Sequence, residues 1–442
     1  MGYVRRILDE LNIKNKNEPE FLESVSEVLL SLEDFIDSNP KYEQCGVLET
    51  LTTPDRIITF RVPWYDDNGN KHVNLGYRVE WCNACGPYKG GLRFRDNVNL
   101  SILKFLAFEQ TLKNSITGLL IGGAKGGSDF DPKGKSESEI RNFCQSFMTE
   151  LHKYIGIYKD VPAGDIGVSS KEIGYLFGEY KRLTNTFDSS LTGKGLTYGG
   201  SLLRKEATGY GLVYIADEIL KANGLSFKDK NVIVSGSGNV SIYTMEKAKE
   251  LGAKVVACSD SNGYIYDEHG IDIELVKYLK EENRLRISEY TKYKKNAKYI
   301  SDKKVFLVPC DICLPCATQN ELDLDDIKVL YNNGCKAVFE GANMPSTSSA
   351  IKFMKDHNII YCPGKASNSG GVSCSVLEMN QDNGFILEDI NTLDNKLKNI
   401  MHNIYIKLEN ICKAYNLGND YQTASNILGF KRVADAIIEQ GL

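Results

Sequence analysis

The chain has 442 residues, of which 42% are hydrophobic and 25% are charged, and its formal net charge is −5. This length is too great for one core and predicts two or three domains of globular composition. The mildly acidic balance argues against a nucleic-acid binder and against a basic membrane-binding surface, and no apolar run approaches the roughly 18 residues of a membrane span. The N-terminal sequence lacks the apolar segment of a secretion signal, so we expect a cytoplasmic protein.

The first part of the chain predicts helices followed by strands. Apolar residues at helical spacing predict a helix over residues 18–38. Strand-forming residues then predict two strands, Arg56–Val62 and Tyr77–Trp81, separated by a turn rich in Asp, Asn and Gly. A second helical pattern begins with Asn97 or Asn99 as its N-cap. Together these elements predict a domain with a mixed sheet and helices.

Three lysines of this first domain have unusual surroundings. Lys125 stands in Gly122–Gly127, a run of glycines and one alanine that we expect to let backbone approach a bound molecule closely. Lys89 follows a turn signal, and Lys113 lies in the predicted helix three residues after Gln110, on the same face. If the three ammonium groups converge, each lowers the pKa of the others, and a dianionic small molecule relieves the repulsion. Lys125 is then either an anion-binding group or a catalyst, whereas the alternative for Lys113 is a solvated helix residue.

A carboxylate in the same domain supplies a partner for these lysines. Asp165 lies in Val161–Gly167, a turn framed by proline and glycine. An aspartate beside a lysine of lowered pKa can share a proton with it, which gives an acid and a base without histidine. The alternative for Asp165 is the N-cap of a helix that starts at Ser169 or Ser170.

A βαβ unit in the second half predicts a dinucleotide site. Asn231–Ser235 is predicted to form a strand, Gly236–Ser241 opens a helix, and Ala253–Cys258 forms the next strand. In this context Gly236 allows the tight turn, and Gly238 allows the backbone to approach a pyrophosphate whose charge faces the helix N-terminus.

Two polar residues follow further predicted strands of this half. Asp260 comes directly after the second strand of the βαβ unit, where an acidic residue binds ribose hydroxyls in many dinucleotide sites. Asn343 follows the strand Lys336–Glu340 and is a candidate cofactor contact, because ligands of open α/β sheets bind beyond the carboxyl ends of the strands. The alternative for Asn343 is a capping role before Pro345.

The twelve cysteines include one group with metal-like spacing. Cys310, Cys313 and Cys316 form C-x2-C-x2-C, but the fourth ligand that completes a ferredoxin cluster is missing. We expect Val305–Val308 to form a buried strand that leads into this loop, so structural thiols are favoured and no metal is predicted. The other cysteines are scattered, which favours reduced thiols in a reducing compartment.

Seven motifs in a fixed order carry a likeness to a known family. They are Gly86–Phe94, Phe108–Lys113, Gly122–Pro132, Val161–Tyr175, Glu206–Gly211, Pro315–Asn320 and Phe430–Ala436. Together they resemble the hexameric glutamate dehydrogenases of the small-subunit type over nearly the whole chain. The resemblance implies reversible oxidative deamination of L-glutamate to 2-oxoglutarate and ammonium by a homohexamer.

The same resemblance implies the architecture. The fold class is α/β, with a mixed-sheet substrate domain and a Rossmann-like dinucleotide-binding domain separated by a cleft. We expect residues 1–195 and 418–442 to form the substrate-binding and assembly domain, and residues 196–417 to form the dinucleotide-binding domain.

Substrate-binding roles follow position by position from the resemblance. Lys89, helped by Ser375, would hold the side-chain carboxylate of the substrate. Lys113, with Gln110, would hold the α-carboxylate. The substrates implied are small molecules: glutamate, 2-oxoglutarate and ammonium.

Catalytic and cofactor-binding roles follow in the same way. Lys125 would activate the water that attacks the iminium carbon, and Asp165 would carry protons to and from the amino group. The predicted cofactor-binding residues are Thr208, Gly236, Ser237, Gly238, Asn239, Val240, Asp260, Ser261 and Asn343.

The choice between NADP and NAD depends on few residues. Ser237 and Ser259–Ser261 resemble NADP-dependent members, because small hydroxyl side chains leave room for the 2′-phosphate. Arg284 and Arg286 are near enough in sequence to supply positive charge. Asp260 is also the residue type with which NAD sites bind the ribose hydroxyls. We predict NADP, with NAD as the alternative.

Departures from the family pattern leave other functions to consider. Leu120-Ile121 stand where the family usually has Pro-Met, and Lys205 replaces a proline, so substrate affinity is less certain than activity. A branched-chain amino-acid dehydrogenase on the same scaffold would lack the cation at Lys89. An inactive metabolite sensor would be expected to lose Lys125 or Asp165, and both are present.

Overall fold

The computed structural model describes residues 2–442, which form two compact units. One unit comprises the residues up to Leu202 together with Ser375–Asp389 and Asn426–Leu442, and the other comprises Leu203–Cys374 and Ile390–Ser425. Each unit contains one sheet with helices, so the predicted α/β class is confirmed. The domain boundaries expected after residues 195 and 417 stay a prediction.

The first unit contains a five-stranded mixed sheet with the strand order β1-β2-β4-β3-β5. Its strands are β1 (Arg56–Tyr65), β2 (Lys71–Cys82), β3 (Tyr88–Phe94), β4 (Gly123–Ser128) and β5 (Asp160–Gly164). β2 pairs antiparallel with β1 and β4, whereas β3 pairs parallel with β4 and β5. In the turn between β1 and β2, the Asp66 carboxylate accepts hydrogen bonds from the backbone N–H groups of Asn68 and Asn70. The predicted hairpin is therefore confirmed.

The second unit contains a seven-stranded sheet with the order β12-β11-β10-β6-β7-β8-β9. Its strands are β6 (Asn231–Val234), β7 (Lys254–Asp260), β8 (Gly263–Tyr266), β9 (Lys298–Ser301), β10 (Ile312–Leu314), β11 (Ala337–Phe339) and β12 (Ile360–Cys362). The strands from β12 to β7 are parallel, and β8 and β9 extend the sheet antiparallel. The strand order changes direction at β6, which is where doubly wound sheets bind ligands.

Helices cover these sheets. In chain order they are α1 (Tyr3–Lys14), α2 (Pro19–Leu30), α3 (Glu33–Asp37), α4 (Lys41–Gln44), α5 (Val47–Leu51), α6 (Leu100–Thr117), α7 (Glu137–Leu151), α8 (Ser170–Thr184), α9 (Ala207–Ala222), α10 (Asn239–Glu250), α11 (Ile273–Lys277), α12 (Tyr290–Tyr293), α13 (Leu324–Asn332), α14 (Ser348–Asp356), α15 (Gly364–Ser367), α16 (Gly370–Gly384), α17 (Ile390–Ala414) and α18 (Tyr421–Gln440). No helix within residues 2–442 is long and apolar enough to span a membrane.

Local sequence signals account for several helix ends. Asn99 is the N-cap of α6, since its side chain accepts a hydrogen bond from the Ile102 N–H, and this confirms one of the two predicted starts. Gly118 ends the same helix with a φ of +77°, which only glycine adopts easily. The helix predicted over residues 18–38 is confirmed as α2 and α3, with a short break between them.

A buried ion pair spans the first sheet. Arg78 on β2 donates from Nε to Asp160 Oδ2 at 2.6 Å and from Nη2 to Asp160 Oδ1, and both side chains are 0% exposed. Arg78 Nη1 donates to the Gly90 carbonyl at 3.0 Å. Strands β4 and β3 lie between β2 and β5, so the arginine stem crosses both of them. A Cβ at Gly126 of β4 would stand 3.0 Å from Arg78 Cδ, so this glycine gives the stem its path.

One strand expectation is wrong. Val305–Leu307 forms a single turn of 3-10 helix, and the strand is Ile312–Leu314, which contains Cys313. Val305 and Phe306 are buried in the core of the second unit. A four-residue apolar run indicates that a segment is buried, but it does not distinguish a strand from a buried turn.

The cysteines are free thiols, and ten of the twelve are buried. Burial raises the pKa of Cys258 and of Cys82 to about 12. Burial also raises the pKa of Cys313 and of Cys316 well above that of an ordinary thiol. Within residues 2–442, no group of three or more His, Cys, Asp or Glu side chains is arranged to hold a metal ion.

We predict that replacing Arg78 by Met destabilises the protein by about 3–5 kcal/mol, because the substitution leaves Asp160 buried and uncompensated. Urea denaturation of the purified variant measures the change. The matched control is Lys153→Met, which removes a surface pair with Glu150 and is expected to cost less than about 1 kcal/mol. Equal losses in the two variants would contradict the importance assigned to the buried pair.

Candidate active site and dinucleotide site

A lysine, an arginine and an aspartate meet on one face of the first sheet. Lys125 lies on β4, Arg93 on β3, and Asp165 directly after β5. Lys125 Nζ is 3.2 Å from Asp165 Oδ2, and Arg93 Nε donates to the same oxygen at 2.8 Å. A Cβ at Gly91 would stand 2.8 Å from Asp165 Cβ and 3.4 Å from Lys125 Nζ, so the glycine lets these groups meet. The pairing of Lys125 with Asp165 agrees with the sequence expectation.

The helix-cap alternative for Asp165 is excluded. Ser169 is the N-cap of α8 and forms a capping box with Glu172. The Asp165 carboxylate is instead engaged with Lys125 and Arg93. Asp165 therefore faces the lysine site.

The charges of this cluster shift the pKa values of its members. Burial lowers the pKa of Lys125, the positive charges of Arg93 and Arg78 lower it further, and Asp165 partly offsets them. Burial opposes ionisation of Asp165, but the charges of Lys125 and Arg93 outweigh it and hold the pKa of the carboxyl below its usual value. At neutral pH the cluster thus has an ionised carboxylate beside a lysine that loses its proton more easily than usual.

Lys113 belongs to the same electrostatic cluster. Burial, together with the positive charge of Lys125, lowers the pKa of Lys113 to about 8. Its helix α6 packs closely on β4, where a Cβ at Gly123 would stand only 1.9 Å from Thr111 Oγ1. Helix α6 is thus held against β4, the strand that contains Lys125, and Lys113 is not a solvated helix residue.

Polar side chains of α6 form hydrogen bonds with the backbone at Lys89 of β3 and at Gly122, just before β4. Gln110 Nε2 donates to Asn114 Oδ1 at 2.6 Å. Asn114 Nδ2 in turn donates to the carbonyls of Lys89 and Gly122, at 3.1 and 2.6 Å. Gln110 therefore joins the network that fixes the backbone around Lys89 and the glycine run.

Lys89 is the most deeply buried of the three lysines, at 1% exposure. Its Nζ donates to Thr192 Oγ1 at 2.7 Å and to the Val161 carbonyl at 3.1 Å. In the parallel register of β3 and β4, Leu92 lies opposite Gly126, so these two positions share one face of the sheet. Side chains alternate along a strand, and Lys89 and Lys125 each lie an odd number of residues from this pair. Lys89 and Lys125 therefore share the other face. Ser375, the remaining predicted substrate residue, is buried on α16 of the same unit.

Sequence reasoning missed two residues of this site, Arg93 and Thr192. Arg93 had a signal, because it lies four residues after Lys89 in one strand and therefore points to the same face. Thr192 had none in its own segment, since its contact with Lys89 joins residues 103 positions apart.

The glycines around Lys125 are required by close packing within the protein. A Cβ at Gly123 would clash with α6, and one at Gly126 would stand 2.7 Å from Leu92 Cδ2. Gly90, on the neighbouring strand, would place a Cβ 1.6 Å from the Ala124 carbonyl oxygen. Close packing of strand on strand and of helix on strand explains these positions, whereas the sequence interpretation had assigned the glycine run to contact with a ligand.

The glycine turn of the second unit has the form that a pyrophosphate site needs. Gly236 has a φ of +83°, and its N–H donates to Ser259 Oγ at 2.8 Å. Gly238 is the N-cap of α10, and no side chain caps that end of the helix. A Cβ at Gly238 would meet nothing within 4 Å. The first N–H groups of α10 therefore remain available for an anion.

Hydrogen bonds make this turn rigid. Ser235 Oγ accepts from the N–H groups of Cys316 and Ala317 and donates to Glu321 Oε1 at 2.7 Å. Ser241, at the position of the third glycine in the G-x-G-x-x-G pattern of dinucleotide sites, donates to the Ser235 carbonyl at 2.8 Å. The serine is thus accommodated by a bond to the strand that precedes the turn.

The other predicted cofactor residues lie around the same helix end. Next to Thr208, a Cβ at Gly209 would stand 2.8 Å from the Val240 carbonyl, which places the start of α9 against α10. Asn343 is exposed in the loop after β11, and its Oδ1 accepts from Asn368 Nδ2 at 2.8 Å. Ser237 is buried in the turn, whereas Asn239 is exposed at the start of α10.

An arginine stands at the end of β7, beside the acidic residue. Arg286 Nη1 donates to Ser261 Oγ at 2.7 Å and lies 3.8 Å from Asp260 Oδ2. Asp260 also accepts hydrogen bonds from the N–H groups of Asn262 and Ile287. The edge of the dinucleotide site therefore combines a hydroxyl, a carboxylate and a guanidinium.

Two family models match this chain. The model of the Glutamate/Leucine/Phenylalanine/Valine dehydrogenases covers residues 199–441, and the Glu/Leu/Phe/Val dehydrogenase dimerisation domain covers residues 54–182. Because the first match covers more than half of the chain, the chain belongs to this dehydrogenase family.

Individual relatives agree with the family match. The chain is 53% identical over 447 residues to the NADP-specific glutamate dehydrogenase of Helicobacter pylori, covering 100% of both chains. It is 52% identical over 443 residues to the NAD(P)-specific glutamate dehydrogenase of Xylanibacter ruminicola, covering 99% of both. The crystal structure of Plasmodium falciparum glutamate dehydrogenase matches with a TM-score of 0.97 at 51% identity, covering 99% of this chain and 94% of that one.

We predict that replacing Asp165 by Asn lowers the pKa of Lys125 and moves that of Lys113 below its value of about 8. The carboxylate favours the protonated form of both lysines, and the amide carries no such charge. A pH titration followed by NMR of lysines labelled with ¹³C at Cε measures the change, with exposed Lys153 as the internal control. An unchanged titration of Lys113 would refute its electrostatic coupling to Asp165.

Proposed function

We infer that this protein is an NADP-dependent glutamate dehydrogenase, which oxidatively deaminates L-glutamate to 2-oxoglutarate and ammonium in a reversible reaction. The observation that carries the mechanism is the Lys125–Asp165 pair, with Lys113 in the same electrostatic cluster. The full-length likeness to the glutamate dehydrogenases of Helicobacter pylori and Xylanibacter ruminicola supports this substrate.

We propose that the flanking lysines bind the two carboxylates of the substrate. Lys89 and Ser375 hold the side-chain carboxylate, while Lys113 and Gln110 hold the α-carboxylate. A bound dianion offsets the mutual repulsion that lowers the pKa of Lys113. A branched-chain substrate has no side-chain carboxylate for the buried ammonium of Lys89 to bind, so a branched-chain amino-acid dehydrogenase is disfavoured.

The pair supplies acid and base chemistry. Ionised Asp165 accepts a proton from the substrate ammonium before the Cα–H bond breaks and an iminium forms. The neutral amine of Lys125 then takes a proton from water as its oxygen bonds to the iminium carbon. Asp165 then returns its proton to the amino group, and the C–N bond breaks as the hydroxyl oxygen becomes the carbonyl oxygen. The hydroxyl proton passes to the departing ammonia, which leaves as ammonium, and Lys125 releases its proton to solvent. The lowered pKa of Lys125 favours the neutral amine that water attack needs, and the lowered pKa of Asp165 keeps its carboxylate ionised at neutral pH.

The dinucleotide site fits NADP. The uncapped N-terminus of α10 and the open space at Gly238 suit a pyrophosphate. The proposed contacts are Thr208, Gly236, Ser237, Gly238, Asn239, Val240, Asp260, Ser261 and Asn343. NADP⁺, held by these residues, would supply the hydride acceptor for the reaction. Arg286 beside Ser261 supplies the positive charge that a 2′-phosphate requires, whereas Asp260 also suits NAD.

Assembly and location complete the proposal. The likeness to small-subunit glutamate dehydrogenases supports a homohexamer. Twelve free thiols are typical of a reducing compartment, and we propose a cytoplasmic enzyme on that basis.

We predict that the purified protein oxidises NADPH when 2-oxoglutarate and ammonium are present, and that Lys125→Ala lowers kcat by about 10²–10⁴-fold. Fluorescence titration with NADPH is expected to show unchanged cofactor binding, since the dinucleotide residues belong to the other unit. Lys133→Ala, which removes an exposed lysine near the same strand, serves as the control. If the unmodified protein turned over with neither NADPH nor NADH, the proposed function would be wrong.

We predict that Arg286→Met raises the KM for NADPH about tenfold and leaves the KM for NADH nearly unchanged, because only NADPH carries the 2′-phosphate. Parallel steady-state kinetics with the two cofactors measure the difference. The control Arg182→Met removes an exposed arginine of the first unit and should change neither value. Equal effects on the two cofactors would show that Arg286 does not recognise the phosphate.

A further inference from the structure

A buried group of charged side chains holds the segment next to Lys89 and has no role in the chemistry described above. It consists of Lys194, Glu378 and Asp382, whose side chains are 0%, 0% and 4% exposed. Lys194 Nζ is 2.9 Å from Glu378 Oε1 and 2.6 Å from Asp382 Oδ2. We call these residues the Glu378 cluster. Desolvation makes buried ion pairs poor sources of stability, so a role in positioning must be considered.

The Glu378 cluster anchors the segment that contains Thr192. The N–H groups of Gly193 and Lys194 donate to Glu378 Oε1 at 3.1 and 3.2 Å. Lys194 Nζ donates to the Leu191 carbonyl at 2.9 Å, and Ser189 Oγ donates to Asp382 Oδ2 at 2.6 Å. The backbone on both sides of Thr192 is thus bonded to side chains of α16 or to Lys194.

Thr192 transmits this anchoring to the lysine. Its Oγ1 accepts the hydrogen bond from Lys89 Nζ at 2.7 Å, and its N–H donates to the Pro162 carbonyl of β5 at 3.0 Å. Helix α16 also packs directly on that strand, where Met379 joins Val161 in a small buried apolar cluster. The position of the Lys89 ammonium therefore depends on where α16 holds Thr192.

The same helix carries Ser375, one turn before Glu378. Residues three apart lie on one face of a helix, so Ser375 and Glu378 move together with α16. Glu378 thus connects the two halves of one proposed subsite: Ser375 directly, and Lys89 through Thr192.

We propose that Glu378 is a positioning residue that places Lys89 and Ser375 relative to the α-carboxylate subsite of Lys113 and thereby selects the chain length of the dicarboxylate substrate. The inference rests on the proposed function. The preferred substrate is the five-carbon 2-oxo diacid, and diacids with one carbon fewer or more are discriminated against because their terminal carboxylate misses the subsite. One methylene is worth about tenfold or more in such discrimination.

The test measures kcat/KM for 2-oxoglutarate and for its six-carbon homologue, 2-oxoadipate. Glu378→Asp keeps the charge but draws the carboxylate back by one methylene. It is expected to lower the preference for 2-oxoglutarate over 2-oxoadipate about tenfold, chiefly through KM, with the KM for NADPH unchanged. Glu378→Gln, which keeps the length but loses one acceptor, is the second variant and is expected to shift the preference in the same direction by a smaller factor.

The matched control is Lys104→Met, which breaks a partly buried ion pair with Glu18 in the same unit. It is expected to lower the melting temperature and leave the substrate preference unchanged. The proposal is overturned if the folded Glu378 variants keep the wild-type preference, or if they lose activity on both diacids equally. A wild-type protein inactive with 2-oxoglutarate would instead overturn the proposed function.

Discussion

The buried ion pair between Arg78 and Asp160 is the interaction on which the substrate-binding unit depends. Its arginine stem crosses two strands, so one face of those strands must be free of side chains at the crossing, and Gly126 meets that need. Lys89 and Lys125 lie on the opposite face. Arg78 also contributes to the electrostatic environment, because its positive charge lowers the pKa of Lys125. Arg78 therefore contributes both to the packing of one face of the sheet and to the electrostatic environment of Lys125 on the other face.

Charged groups in this unit divide into two kinds according to what compensates their burial. Arg78 is neutralised by Asp160, and Lys194 by two carboxylates of α16, so these groups act as fixed structural joints. Burial and the positive charge of Lys125 destabilise the ammonium of Lys113, and its pKa falls to about 8. Shifted pKa values of buried groups are common at functional sites, which supports the proposal that Lys113 binds a substrate carboxylate.

How much was predictable from the sequence varied with the range of the interactions. The hairpin of β1 and β2, the cap of α6 and the βαβ unit follow from local patterns, and they were predicted correctly. The Lys125–Asp165 pairing was also expected. The strand assigned to Val305–Val308 was wrong because a short apolar run reports only burial. Thr192 was missed because nothing near it in sequence indicates a contact with Lys89. The roles of the site residues stay predictions.

The burial of the cysteines has a consequence for how the protein meets oxidants. Attack on peroxide or on an alkylating reagent requires a thiolate, and burial raises the pKa of Cys258 to about 12, so that species is scarce at neutral pH. Cys45 is exposed and lies on the surface of the first unit. Thiol modification of the folded protein is therefore expected first at Cys45, whereas modification of the buried thiols requires the core to open. The rate at which the buried thiols react therefore measures how often the core opens.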